Sequence, residues 1–281
     1  MTSKEVLCGG YSLKDIPVLL PPPGVPYDGN RVTPEDMGKD DANTIHYINV
    51  KTNQIPPGHE KRIKELENMM DLTHRWLDIQ SGIHTKKQKE AGRLPTDIGI
   101  KSQLIRDDYR IKVINTILAE GNCNWLVVSK IHEVEYRIQV KKADFHLEIV
   151  KDIMKGITTV ASISKSIEDV LVSMFDITAK AKNNMENHFF WSWFNVFTWD
   201  EVTEEVKPTI RIVYYRVSED MVEYCINKAK YQQVNMAFDF SDGQYTFVDS
   251  LWVMYQDAIS KFIYDYGDIK IRDPIDGEII P

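Results

Sequence analysis

Apolar residues recur at steps of three and four over 60–80, where Ile63, Leu66, Met70 and Leu77 form a stripe broadened by Met69, Leu72, Trp76 and Ile79. That spacing predicts an amphipathic helix with one buried face. A second predicted helix covers 102–120 and carries Ile105, Tyr109, Ile111, Val113, Ile114, Ile117 and Leu118, with Gly121 placed to stop it. The rhythm then changes. Val134, Tyr136, Ile138 and Val140 alternate with Glu133, Glu135, Arg137 and Gln139, the pattern of a strand with one buried and one wet face. The longest helical pattern follows over 143–183, stepping through Phe145, Ile149, Ile153, Ile157, Val160, Ile163, Ile167, Val170, Met174 and Ile177. One straight helix of that length would run about 60 Å, so a bend is expected at the weak helix formers Gly156, Thr158 and Thr159.

Beyond it the alternation of strands returns. Seven aromatic side chains fall within eleven residues: Phe189, Phe190, Trp191, Trp193, Phe194, Phe197 and Trp199. A strand over 187–199 is predicted, joined by an acidic loop to a second over 209–217 and paired with it. Residues 218–229 fit helix and strand equally. Val234, Met236, Phe238 and Phe240 mark another strand, with a turn expected at Ser241-Asp242-Gly243, and a last helix is predicted over 245–266 before Gly267. The start of the chain is different. Pro17, Pro21, Pro22, Pro23 and Pro26 remove backbone donors, and Pro56, Pro57 and Gly58 close the segment. The expected organisation is a Pro-rich irregular N-terminal arm over 1–57 and a single α+β domain over 58–281, with an antiparallel β-sheet packed by long amphipathic helices.

With 281 residues, 43% of them hydrophobic, the chain can bury a core without staples. A net charge of -8 argues against a nucleic-acid partner, because neutralising phosphates needs concentrated Lys and Arg. Lys86, Lys87 and Lys89 are expected in a solvated loop. Cys8, Cys123 and Cys225 have neither metal-ligand spacing nor an even count. No secretory signal and no bilayer-spanning run is recognisable. The expectation is therefore a protein soluble as made and released by a non-classical route. No phosphate loop, hydrolase elbow or metalloprotease helix is present. His74, His84 and His146 are expected at the surface or at caps, and carboxylates on the helices are expected to be solvated. No catalytic residue, acid/base couple or metal site is nominated.

Two elements remain as candidates. The aromatic strand is either a core strand, a membrane or lipid contact through Trp191, Trp193 and Phe194, or a recognition surface for protein or sugar. The long helix either packs in the core or leaves the fold and inserts around Ile157, Val160 and Ile163. Lys151, Lys155, Lys165, Glu168 and Asp169 would prevent a lone copy from spanning, so insertion requires a homo-oligomer that hides them.

Residues 143–266 resemble the Evf-type virulence factors, soluble α/β proteins of insect-associated bacteria that carry a fatty acyl group on a cysteine. The resemblance lies in the long amphipathic helix, the aromatic strand from Phe189 to Trp199, the run Ile210-Arg211-Ile212-Val213-Tyr214-Tyr215-Arg216-Val217, and the strand from Val234 to Phe240 before a Trp-bearing final helix. It implies membrane association and a role against an insect or other host; the leading expectation is a non-enzymatic, membrane-active toxin or virulence factor, insecticidal among the options, whose partner is a host membrane or lipid, with an enzyme as the third reading. Cys225 is the one cysteine inside the similar region, hence the candidate for a covalent fatty acid, although an unmodified buried thiol is the plainer reading. A soluble binding or structural protein whose aromatic hairpin is core is the alternative.

Overall fold

The aromatic run forms the centre of a five-stranded sheet in a computed structural model, which describes residues 7–8, 11–12, 16–17, 31–33, 35–39, 41–42, 44–51, 55–119, 123–141, 165–181, 188–216, 222–223 and 233–267. In chain order the elements are β1 (Leu7–Cys8), β2 (Tyr11–Ser12), β3 (Ile45–Lys51), α1 (Glu60–Glu90), α2 (Ile100–Ala119), β4 (Leu126–Lys141), α3 (Lys165–Ala181), β5 (Phe189–Asp200), β6 (Glu205–Arg216), β7 (Gln233–Phe247) and α4 (Asp249–Tyr266). The fold is α+β, a single domain. β1 and β2 make a small separate hairpin, and the main sheet has the order β3-β5-β6-β7-β4.

Four strands of the main sheet pair antiparallel, as the alternating patterns predict. β5 pairs with β6 across a short acidic hairpin, with Trp191 opposite Tyr214 and Trp193 opposite Ile212. The edge strand β3 differs. It runs parallel to β5, with Ile45 opposite Trp191 and Tyr47 opposite Trp193, which makes the sheet mixed. β3 also falls inside the segment expected to be irregular. Its Ile48 and Val50 are buried on one face while Ile45 and Tyr47 pack on the other, so it is covered on both sides and lacks a clean wet face.

Two boundaries move for physical reasons. The turn expected at Ser241-Asp242-Gly243 is continuous strand, because those residues pair with Tyr214, Val213 and Ile212 on one side and with Glu133, His132 and Ile131 on the other. Backbone groups held by two neighbours gain nothing by turning. The last helix accordingly starts at Asp249, and Tyr245 and Phe247 are buried strand residues. α1 extends past 80 to Glu90, and the lysine run expected in a loop lies in its final turns.

Helices α1, α2 and α4 cover one face of the sheet. Leu66, Met70 and Leu77 of α1 and Tyr109, Val113 and Ile114 of α2 join Trp191, Trp193, Phe197, Ile210 and Ile212 in one core. Trp252 of α4 enters the same core, and its indole N–H donates to Thr73 Oγ1 of α1 at 3.0 Å. On the opposite face Phe190, Phe194 and Val196 are equally buried, so β5 is covered on both sides. α3 contacts β3 and buries Met174, Phe175 and Ala181. Of the helix expected over 143–183, residues 165–181 are helical; the bend at Gly156, Thr158 and Thr159 lies outside the described residues.

Candidate functional site

The aromatic strand leads directly to a buried polar junction. Period two sends Trp191, Trp193 and Asn195 of β5 to the face carrying α1 and α2, where Tyr47 of β3 lies beside them. The Tyr47 ring stacks on His74 of α1 at 4.2 Å, and Trp193 meets His74 edge-on at 4.9 Å. The Trp193 indole N–H donates to Asn195 Oδ1 at 2.6 Å, and Asn195 Nδ2 donates to Asn49 Oδ1 at 2.7 Å. The Tyr47 hydroxyl donates to Asp78 Oδ1 at 2.9 Å. Burial raises Asp78 to about 6, against the pull of Arg110, Tyr47 and Arg75. The same burial lowers His74 to about 3, and its Nε2 has no partner.

Next to this ring stack, α2 places Arg106 and Arg110 one turn apart on the side that meets the segment before β3. Arg106 Nε donates to Asp41 Oδ1 at 2.7 Å and Arg110 Nε to Asp41 Oδ2 at 3.1 Å, with all three side chains buried. Arg106 also donates to the carbonyl of Asp97 at 2.9 Å, and Arg110 to the carbonyl of Asp36 at 2.8 Å. Asp107 accepts from both the backbone N–H and the hydroxyl of Thr44, at 3.0 and 2.8 Å. Burial and the nearby charge of Asp41 push its carboxyl well up. Asp108 is bonded to His188, immediately before β5. Gly38 belongs to this junction. It has φ +92, and a Cβ there would sit 2.8 Å from a terminal nitrogen of Arg110, so glycine is required by both backbone and space.

Charges packed this densely inside a protein are held only when each is answered by an opposite charge and hydrogen bonds. The junction therefore fixes Asp36, Asp41, Thr44, Tyr47 and Asn49 against α1, α2 and β5. A cavity of about 540 Å³ lies elsewhere, between the β5–β6 hairpin and the first turns of α1 and α4. His59, Arg62, Lys207, Asp200, Glu204 and Asp249 are among the residues lining it, and Arg62 is paired with Asp249. Burial pushes the Cys123 thiol up, and no cluster of metal-ligating side chains occurs among the described residues.

The residues nominated for membrane contact divide in two. Trp191 and Trp193 are 0% exposed and Phe194 1%, so in the folded chain they are core residues. Close packing on both faces of β5 is the reason. Ile157, Val160, Ile163 and Cys225 lie outside the described residues. The histidine expectation is corrected as well: His74 and His84 are buried, while His146 lies outside the described residues. The sequence pattern puts the acidic residues of α2 in solvent, yet Asp107 and Asp108 are buried beside Arg106 and Arg110. A signal for this exists in the sequence, since the charged residues at 106, 107, 108 and 110 lie between the apolar positions Leu104, Ile105 and Ile111 in the middle of the helix.

Neither a protein family nor a curated protein matches the sequence. Solved structures do. The structure of the Evf virulence factor matches with TM-score 0.51 and 16% identity, covering 85% of this chain and 84% of that one. The chain shares the fold of a virulence factor. Activated Cyt2Ba monomer from Bacillus thuringiensis subsp. israelensis follows with TM-score 0.28 and 9% identity over 72% of this chain and 98% of that one. A delta-endotoxin follows with TM-score 0.27 and 8% identity over 82% and 88%.

Proposed function

We propose that this chain is a non-enzymatic, membrane-active toxin or virulence factor whose folded form hides its apolar surface until it meets a host membrane. The observation that supports this reading is the fold shared with the Evf virulence factor along most of both chains. An insecticidal role, release by a non-classical route, assembly into homo-oligomers and a fatty acyl group on Cys225 belong to the same proposal. No helix among the described residues is long and apolar enough to cross a membrane. The proposal assigns membrane activity to a rearrangement of the segment around Ile157, Val160 and Ile163. Dye release from liposomes tests the reading, and leakage that rises with protein concentration is the expected result. Intact mass measured on protein from its native producer tests the acyl group, and an unmodified chain would remove Cys225 from the proposal.

A second reading has its own support. Trp191, Trp193 and Phe194 are buried, as expected of a soluble binding or structural protein whose aromatic hairpin is simply core. Absence of leakage at every protein concentration would favour it.

A further inference from the structure

Two helices start at the edge of one cavity, and neither start is closed by a side chain. The space of about 540 Å³ is bounded by His59 and Arg62 at the beginning of α1, by Val248 and Asp249 at the beginning of α4, and by the β5–β6 hairpin. His59 and Val248 are the N-cap residues, and neither side chain bonds the helix it precedes. The first N–H groups of a helix carry partial positive charge and, where no side chain caps them, are open to an anion. Arg62 and Lys207 line the same space, so two cations stand beside the two helix starts. Arg62 pairs with Asp249 and Lys207 with Glu205, and both pairs are partly exposed. Ion pairs at the surface are worth only about 0–1 kcal/mol, and a phosphate, which takes several charge-assisted hydrogen bonds at once, competes well for such cations.

The hairpin supplies the opposite sign. Asp200 and Glu204 also line the cavity, and among the described residues no cation is paired with either. Asp200 Oδ1 accepts from the N–H groups of Val202 and Thr203, at 2.9 and 3.2 Å, which fixes its carboxylate at the turn. His59 rests on Trp199 with 4.5 Å between ring centres, so an aromatic pair backs this wall. Carboxylates and aromatic surface together suit an organic ammonium group. The rim is apolar. Val202, at the hairpin tip between Asp200 and Glu204, is 93% exposed, and Val253, one turn beyond Asp249 in α4, is 52% exposed. A hollow of both signs with an apolar rim fits a molecule that is zwitterionic at one end and apolar beyond it. The net charge of -8 further disfavours an anionic lipid surface.

We infer that this cavity binds the headgroup of a zwitterionic bilayer phospholipid. The phosphate lies at the starts of α1 and α4 with Arg62 and Lys207, the ammonium lies against Asp200 and Glu204, and Val202 and Val253 meet the acyl boundary. This assignment rests on the membrane reading and adds to it the class of lipid and the point at which the folded chain first touches a bilayer. Docking of this kind needs no rearrangement, so it is measured apart from leakage.

Co-sedimentation of the full chain with phosphatidylcholine vesicles measures it, with phosphatidylglycerol vesicles as the anionic comparison. Wild type is expected to bind the first, and the second about tenfold more weakly. Glu204→Gln and Lys207→Glu should each weaken phosphatidylcholine binding about tenfold, the loss of one charge-assisted contact, and circular dichroism checks that each variant folds. Val202→Asp should weaken vesicle binding but leave the binding of soluble phosphocholine, read by titration calorimetry, unchanged. A readout without any substitution is displacement: excess phosphocholine should release wild type from the vesicles, and glycerol phosphate, which lacks the ammonium, should release less. No binding to phosphatidylcholine, equal binding to both vesicles, no displacement by phosphocholine, or binding indifferent to Glu204→Gln and Lys207→Glu overturns the inference. Phosphocholine binding with vesicle binding untouched by Val202→Asp also overturns it, because the ligand is then a soluble zwitterion. Dye release measured in parallel separates the two readings. Docking without leakage keeps the headgroup site and removes the toxin reading, whereas leakage undiminished in all three variants does the reverse.

Discussion

His74 should make the fold sensitive to acid. Its ring is buried between Tyr47 and Trp193, its Nε2 has no partner, and burial lowers its pKa from 6.5 to about 3 despite Asn195 beside the ring. An unfolded chain takes up this proton near the ordinary value, the folded chain only near 3. Above pH 6.5 the ring is neutral in both states and its neutral burial is undisturbed. As pH falls below 6.5 the unfolded state gains the proton first, so stability drains away down to the folded value. The loss is about 1.36 kcal/mol per pH unit, hence about 3 kcal/mol by pH 4.5. His46 and His84, both lowered to about 4 by burial, act in the same direction. Asp78, raised to about 6, acts in the other: the folded chain binds its proton first, so that contribution is present at low pH and is lost as pH rises through 6. Comparing wild type with a variant at each pH cancels these shared contributions. His74→Phe keeps an aromatic ring in the stack and removes the titration. The larger ring costs about 1–3 kcal/mol by overpacking, which shifts the whole curve without tilting it. Guanidinium unfolding followed by tryptophan fluorescence between about pH 7.5 and about pH 4.5 reads the stability of both proteins. The variant should gain about 3 kcal/mol relative to wild type across that range. Two parallel curves would refute the reasoning.

Gly38→Ala should destabilise more than Gly58→Ala. Both positions have positive φ (+92 and +97), but a Cβ meets Arg110 at Gly38 and nothing within 4 Å at Gly58. Backbone strain of about 1–3 kcal/mol applies to each, and the displaced guanidinium adds to the first; equal urea midpoints would count against the close contact. Asp41→Asn leaves two buried guanidinium groups, with side-chain exposures of 6% and 3%, without their shared counter-charge. A loss of about 3–5 kcal/mol is expected in thermal or denaturant melts, and a loss below about 1 kcal/mol would show that the three side chains do not form the buried unit described.

Patterns set by neighbours a few residues away are legible in the sequence alone. β5 and its pairing with β6 follow from alternation on either side of an acidic loop, and the greater part of α1, α2 and α4 follows from stripes at three and four. The far end of α1 does not. Ser81, Gly82, His84, Thr85 and Gln88 are buried there, yet none belongs to an apolar stripe. What covers them comes from elsewhere in the chain: Arg110 reaches Ser81, the side chain of Met37 and the carbonyl of Asp36 lie against Gly82, and the carbonyl of Pro17 accepts from Gln88.

What the sequence by itself determined is the class of the fold and the position of most of its elements, because helix and strand periodicity is a local property of the backbone. Composition likewise determined that a large apolar surface had to be hidden. Where that surface goes was settled by tertiary structure alone. Period two places Trp193 on a face, but only the arrival of α1 and β3, with His74 and Tyr47 against its ring, makes that face core. The same holds for charge. Arg106, Asp107, Asp108 and Arg110 look like a solvated helix surface until Asp41, Thr44 and His188 are brought to them from 63 to 80 positions away along the chain, and burial of an ion pair depends on a partner that no local window contains.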